Sequence, residues 1–92
     1  MIKIHRKTPA ITYALVAVSA RRVVRFDYQH DGRGEPIVFL SARSVLLKRG
    51  VSIEDACDGR SDWGDSERYL TDRERSKAVA LISAALPGFE VL

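Results

Sequence analysis

The first half of the chain alternates apolar and polar positions in short segments, a pattern typical of half-buried β-strands. Turn-forming residues at 29–35 separate two of these segments, and a tight connection is predicted at 41–44. Because neither connection is long enough for a crossover, the strands that it joins should be antiparallel neighbours. The predicted strands are residues 2–4, 24–28, 37–40 and 45–48.

Residues 8–22 are predicted to form a helix. Thr8 is a suitable N-cap, and Pro9 suits the first helical position because it has no N–H to lose. Apolar residues then recur at i, i+3, i+4 and i+7, which places them on one helical face. The β-branched residues of this segment leave a strand as the alternative. The periodic apolar positions are Ile11, Ala14, Leu15 and Val18.

The second half predicts two further helices. Ser52 can cap a short helix over residues 53–57. Thr71 and Glu74 form a capping box at the start of a longer helix, and Pro87-Gly88 ends it. Residues 59–70 are polar and are predicted to be irregular, and residues 89–91 can add an edge strand.

These elements predict a single α+β domain spanning residues 1–92. The expected architecture is a small antiparallel sheet of about three strands, with two helices packed on one face. Cys57 is the only cysteine, so no intrachain disulfide can form, and a reducing cytoplasm is the expected location. No apolar run approaches the roughly 20 residues of a membrane span, and no signal peptide is expected.

Charge is divided unevenly along the chain. Residues 1–50 carry ten Lys/Arg and three Asp/Glu, a formal charge of +7, whereas residues 51–92 carry five and nine, a charge of −4. The chain as a whole has a net charge of +3. Such a division predicts a basic face and an acidic face that assist encounter with charged partners, although the two halves can also neutralise each other across the fold.

No residue pattern indicates catalysis, a cofactor or a metal site. The two histidines, His5 and His30, and the single cysteine lack metal-ligand spacing. Cys57 precedes Asp58, which raises a thiol pKa, so a small buried residue is expected there. His30 has no neighbouring nucleophile to activate. We therefore expect no enzyme and no cofactor.

The basic residues are the strongest functional signal. Arginine predominates among them, and its planar guanidinium pairs with phosphate and stacks on bases. A nucleic acid or nucleoprotein partner is therefore expected, with a protein-only adaptor or inhibitor as the alternative and a homodimer through a sheet edge left open. Trp63 and Tyr69 flank a polar loop and are candidate protein contacts. The candidate partner-binding residues are Arg21, Arg22, Arg25, Arg33, Arg43, Lys48 and Arg49.

Two resemblances extend these expectations. Residues 13–28 resemble the opening of WYL-type regulatory domains, in which a helix ending in basic residues precedes a strand of Val-x-Phe-x-Tyr type. This resemblance implies a ligand-sensing fragment. In its small size, lack of catalytic groups and bipolar charge, the chain is also similar to phage-encoded inhibitors of the anti-CRISPR type. That similarity implies a binder that blocks a nucleoprotein complex in the host cytoplasm.

Overall fold

A computed structural model describes residues 2–7, 10–29, 37–58 and 63–91 and contains one mixed sheet. Five strands follow one another as antiparallel neighbours, and β6 pairs in parallel with the first part of β4. β5 pairs with the last part of β4. β5 and β6 therefore lie one after the other along the same edge of β4, opposite the edge that pairs with β3. The strands are β1 (Ile2–Lys7), β2 (Ala10–Ala17), β3 (Arg22–Gln29), β4 (Ile37–Leu47), β5 (Gly64–Tyr69) and β6 (Phe89–Val91).

The α+β class is thus found, but the prediction of a three-stranded sheet is wrong. Within the predicted helix over residues 8–22, residues 10–17 instead form β2. The connection predicted at 41–44 lies inside the continuous strand β4, and part of the segment predicted to be irregular is β5. The predicted turn at 29–35 falls almost entirely outside the described residues, as do Thr8 and Pro9. The elements predicted at 2–4, 24–28 and 89–91 are confirmed as strands.

Two helices, α1 (Ile53–Cys57) and α2 (Asp72–Ala85), cover opposite faces of the sheet. The predicted packing on one face is therefore wrong. We call the two sides the α1 face and the α2 face. On the α2 face Phe26 and Phe39 pack at 5.2 Å between ring centroids, over Ile82 of the helix. On the α1 face the core residues are Tyr13, Leu15, Val23, Val45, Leu47, Ile53, Ala56 and Cys57.

Burial on both faces explains why β2 is hard to recognise in the sequence. Residues 13–16 alternate between the two cores, Ala14 and Val16 towards α2 and Tyr13 and Leu15 towards α1. All four are buried. A strand covered on both sides loses the polar positions that would give it a period of two, and periodicity alone cannot then separate it from a buried helix.

The predicted caps of both helices are confirmed. The Ser52 hydroxyl accepts a hydrogen bond from the Asp55 N–H at 3.1 Å. At α2 the capping box is complete, since Thr71 Oγ1 accepts from the Glu74 N–H and the Glu74 carboxylate accepts from the Thr71 N–H. Each cap satisfies backbone donors that a helix start leaves without an intrahelical acceptor.

A bulge in β5 shapes the edge of the α1 face. The pairing of β5 with β4 shifts between Ser44 and Leu46, and Ser66 at this point has a φ of 48°. That left-handed conformation is uncommon for a residue with a β-carbon. Gly64 is the first residue of β5. A Cβ added to it would lie 2.5 Å from Val45 Cγ1, so the close approach of β5 to β4 requires glycine at this position.

Candidate binding surface

Four of the predicted basic residues meet at one end of the sheet. Arg21 and Arg22 lie where the β2–β3 turn enters β3, while Lys48 and Arg49 follow directly after β4. The Leu47 N–H donates to the Arg21 carbonyl at 2.7 Å, so the two segments are in contact. Because β3 and β4 are antiparallel, residues far apart in the chain end at the same edge.

α2 adds two cations to this end. Lys77 Nζ donates to the Val18 carbonyl at 2.7 Å, which fixes its side chain over the β2–β3 turn. Arg73, one helical turn earlier, lines a depression of about 370 Å³ with Val18, Ser19, Lys77 and Glu74. We call the six cations at this end of the sheet the basic rim: Arg21, Arg22, Lys48, Arg49, Arg73 and Lys77.

The basic rim keeps its positive charge. Arg21 donates through Nε and Nη2 to the Leu47 carbonyl at 3.2 and 3.0 Å, and Arg22 Nη1 donates to the Ser66 carbonyl at 3.2 Å. Carbonyl oxygens orient a guanidinium without neutralising it. Within the described ranges, none of the ion pairs shorter than 4 Å includes a rim residue.

A second group of predicted residues forms a cleft on the α1 face. Arg25 and Arg43 are direct partners across β3 and β4, and they line an open cleft of about 540 Å³ together with Trp63. Asp27 and Glu67 supply acidic groups to the same cleft. We call this site the arginine cleft.

Arg25 is held firmly within the arginine cleft. Its Nε donates to Asp27 Oδ1 at 2.8 Å, and Asp27 Oδ2 accepts from the Ser41 hydroxyl at 3.2 Å. The guanidinium carbon lies 4.3 Å from the centroid of the Tyr13 ring and 5.9 Å from that of Trp63. These are cation–π distances, so the side chain is fixed both by a carboxylate and by ring faces.

Arg43 is held more loosely. Its guanidinium carbon lies 4.4 Å from the centroid of Tyr69, but its Nε is 3.7 Å from Glu67 Oε1, too far for a hydrogen bond. Tyr69 is 78% exposed, and the Glu67 side chain is 63% exposed. Arg43 and Tyr69 therefore present a stacked pair to solvent.

The structure thus divides the predicted binding residues between the rim and the cleft. The rim contains Arg21, Arg22, Lys48 and Arg49, the cleft region contains Arg25, Arg43, Trp63 and Tyr69, and Arg33 lies outside the described residues. Arg73 and Lys77 were missed, because they belong to the acidic half of the chain. Their i, i+4 spacing on a predicted helix is the signal that could have found them.

Backbone contacts make the rim and the cleft continuous. The Ser66 carbonyl that accepts from Arg22 belongs to a residue lining the arginine cleft. The Lys48 N–H donates to the Trp63 carbonyl at 2.9 Å. The rim and the cleft therefore adjoin at this edge of the sheet.

Cys57 is buried in the core of the α1 face. Burial raises the pKa of the Cys57 thiol, and the Asp58 charge raises it further, against an opposing effect of Lys3. A raised pKa disfavours the nucleophilic thiolate. Among the residues that the structure describes, no cluster of three His, Cys, Asp or Glu side chains is placed to hold a metal ion, and no helix is long and apolar enough to cross a membrane.

Comparison of the chain with protein-family models, with curated proteins and with solved structures finds no match. The resemblance of residues 13–28 to WYL-type domains and the similarity to anti-CRISPR inhibitors stay predictions.

Proposed function

We propose that this protein is a non-catalytic nucleic-acid-binding domain that contacts phosphates through the basic rim. The observation that supports this proposal is the convergence of six cations from three separate segments, none of them paired with a carboxylate in the described part of the chain. Closely spaced cations repel one another, and phosphate oxygens relieve that repulsion. Binding to nucleic acid also releases counterions, which supplies most of the affinity of basic surfaces for phosphates.

Two arginines of the basic rim are also preorganised for binding. Arg21 and Arg22 are already oriented by carbonyl acceptors, and a guanidinium has five N–H donors, so each retains donors for a phosphate. An oriented side chain loses less rotamer entropy on binding than a free one. A domain of this kind can dock on a nucleoprotein complex, and inhibition of such a complex, as by anti-CRISPR proteins, is part of the proposal.

The test is the salt dependence of binding to a labelled DNA duplex, measured by fluorescence anisotropy. If three or four phosphates are contacted, log affinity should fall with log salt at a slope of about −3 to −4. The double variant Lys48→Gln/Arg49→Gln should weaken binding and make the slope shallower by about two. Arg75→Gln removes an exposed arginine of α2 that does not line the Val18 depression. It should leave the affinity and the salt slope unchanged.

A flat salt dependence, or equal losses in the double variant and in Arg75→Gln, would overturn the proposal. A protein partner is the second candidate, because Tyr69 and Arg43 form an exposed aromatic–arginine pair of the kind that dominates protein interfaces. Under that alternative, Tyr69→Ala weakens capture of a protein partner from nuclease-treated lysate while the rim variant does not.

A further inference from the structure

The arginine cleft contains an arrangement that the fold alone does not require. Arg25 and Arg43 are direct cross-strand partners, and like charges in that position destabilise a sheet. Their side chains are only 34% and 36% exposed, so solvent screens them incompletely. The two guanidiniums stack on different rings, Arg25 on Tyr13 and Arg43 on Tyr69.

The two arginines differ in how far their charge is already satisfied. Arg25 makes a 2.8 Å hydrogen bond with Asp27, which is itself fixed by Ser41. Among the described residues, the carboxylate that pairs with Arg43 is Glu67, at 3.7 Å, and it lies on an exposed side chain. The Arg43–Tyr69 pair, at the margin of the cleft, is therefore the part of this surface that a ligand can engage without breaking a short ion pair.

We propose that the protein binds single-stranded nucleic acid, with one base stacked on Tyr69 beside Arg43, at the margin of the arginine cleft, and the neighbouring phosphates on the basic rim. This inference rests on the proposed function and names its ligand more narrowly. The adjoining cleft, which Arg43 also lines, has a volume of about 540 Å³, within the range of small-ligand pockets.

The exposed ring explains the choice of a single strand. A flat aromatic face can stack only on a base that has left its own stack, and duplex bases present edges, not faces, in the grooves. Arginine beside the ring adds a cation–π contribution to base stacking, a combination typical of single-strand binders. Continuity of the rim and the cleft through Ser66 and Trp63 allows one strand to span both.

The test compares three labelled ligands in anisotropy titrations: a thymine oligonucleotide of about 12 residues, an abasic strand of equal length and a matched duplex. The thymine strand should bind most tightly. Tyr69→Ala should lower its affinity by about 5- to 100-fold and leave the abasic strand and the duplex unchanged. Because Tyr69 is largely exposed, this variant should fold, and circular dichroism verifies that it does.

Two matched variants and an internal probe sharpen the result. Tyr69→Phe keeps the ring and should bind the thymine strand as the unmodified protein does. Leu81→Ala removes another exposed apolar side chain, on α2, and should also leave binding unchanged. Trp63 is the only tryptophan and lines the cleft, so its fluorescence should change with the thymine strand and not with the abasic strand.

The possible results separate the two proposals. Equal affinity of Tyr69→Ala and the unmodified protein for the thymine strand, or equal affinity for thymine and abasic strands, overturns the inference. If the Lys48→Gln/Arg49→Gln variant still has a lower affinity for all three ligands in that case, the proposed function stands. If none of the three ligands binds, both the proposed function and the inference fall.

Discussion

Glu74 should contribute more to stability than any other carboxylate whose contacts the structure describes, because one side chain joins three elements. Its Oε1 accepts from Arg68 Nη1 at 2.7 Å and from the Thr71 N–H at 3.0 Å. Its Oε2 accepts from Arg68 Nη2 at 2.9 Å and from the Ser44 hydroxyl at 3.0 Å. The carboxylate therefore connects the start of α2 to β4 and β5, and its side chain is only 13% exposed.

The magnitude follows from the pKa of this group. The hydrogen bonds from Arg68 lower the pKa of Glu74 from 4.5 to about 2, and those from Thr71 and Ser44 add to the lowering against the opposing effect of burial. At about 1.4 kcal/mol per pH unit, the lowering corresponds to about 3 kcal/mol at neutral pH. Arg68 is 42% exposed, and solvent screening reduces the expected value to about 2 kcal/mol.

Because the folded-state pKa is the lower one, this contribution is complete above pH 4.5 and is lost as pH falls towards 2. Glu74→Gln should therefore lower the free energy of unfolding by about 2 kcal/mol at pH 7 and by much less near pH 2.5. Urea denaturation followed by circular dichroism at the two pH values measures this difference.

Glu54→Gln is the matched control, since Glu54 pairs with Lys3 at 3.3 Å but is 63% exposed. It should change stability by less than about 0.5 kcal/mol at both pH values. A loss in Glu74→Gln that is the same at pH 7 and pH 2.5 would refute the reasoning, because it would show that side-chain shape and not charge is responsible.

Two further predictions concern packing and hydrogen bonding on the α1 face. Gly64→Ala should lower the free energy of unfolding by about 1–3 kcal/mol, because the new Cβ meets Val45. In a Val45→Ala background this loss should nearly vanish. Urea denaturation measures both losses, and equal values would contradict the prediction. Tyr13→Phe should cost about 1 kcal/mol by removing donation to the Ala56 and Cys57 carbonyls. Ser83→Ala, which removes an exposed hydroxyl, is its control, and an equal loss there would contradict the prediction.

Elements specified by local signals could be predicted from the sequence. The capping box at Thr71 and Glu74 and the stop at Pro87 belong to a few neighbouring residues, so α2 was predicted within about one residue of its observed bounds. β5 has no such signal. It is a polar strand at the edge of the sheet, interrupted by a bulge at Ser66, and only its pairing with β4 makes it a strand.

The candidate site was predictable in most of its residues, Arg73 and Lys77 excepted, but not in its grouping. Residues 24–28 and 37–40 were expected to pair as antiparallel strands, but Arg43 was placed in a connection at 41–44. The register that makes Arg25 and Arg43 direct partners depends on the whole sheet. Tyr69 was a candidate protein contact, but its stacking on Arg43 requires β5, which was predicted to be irregular. The composition of the arginine cleft therefore could not be derived from spacing alone.

The distribution of charge along the chain differs from its distribution on the folded surface. The basic first half of the chain contributes Arg25 and Arg43 to the arginine cleft, where the carboxylates of Asp27 and Glu67 oppose their positive charge. The acidic second half contributes Arg73 and Lys77 to the basic rim. The division into +7 and −4 halves therefore does not produce a simple bipolar molecule. The cationic surface instead arises because antiparallel strands and α2 bring cations from both halves of the chain to one end of the sheet.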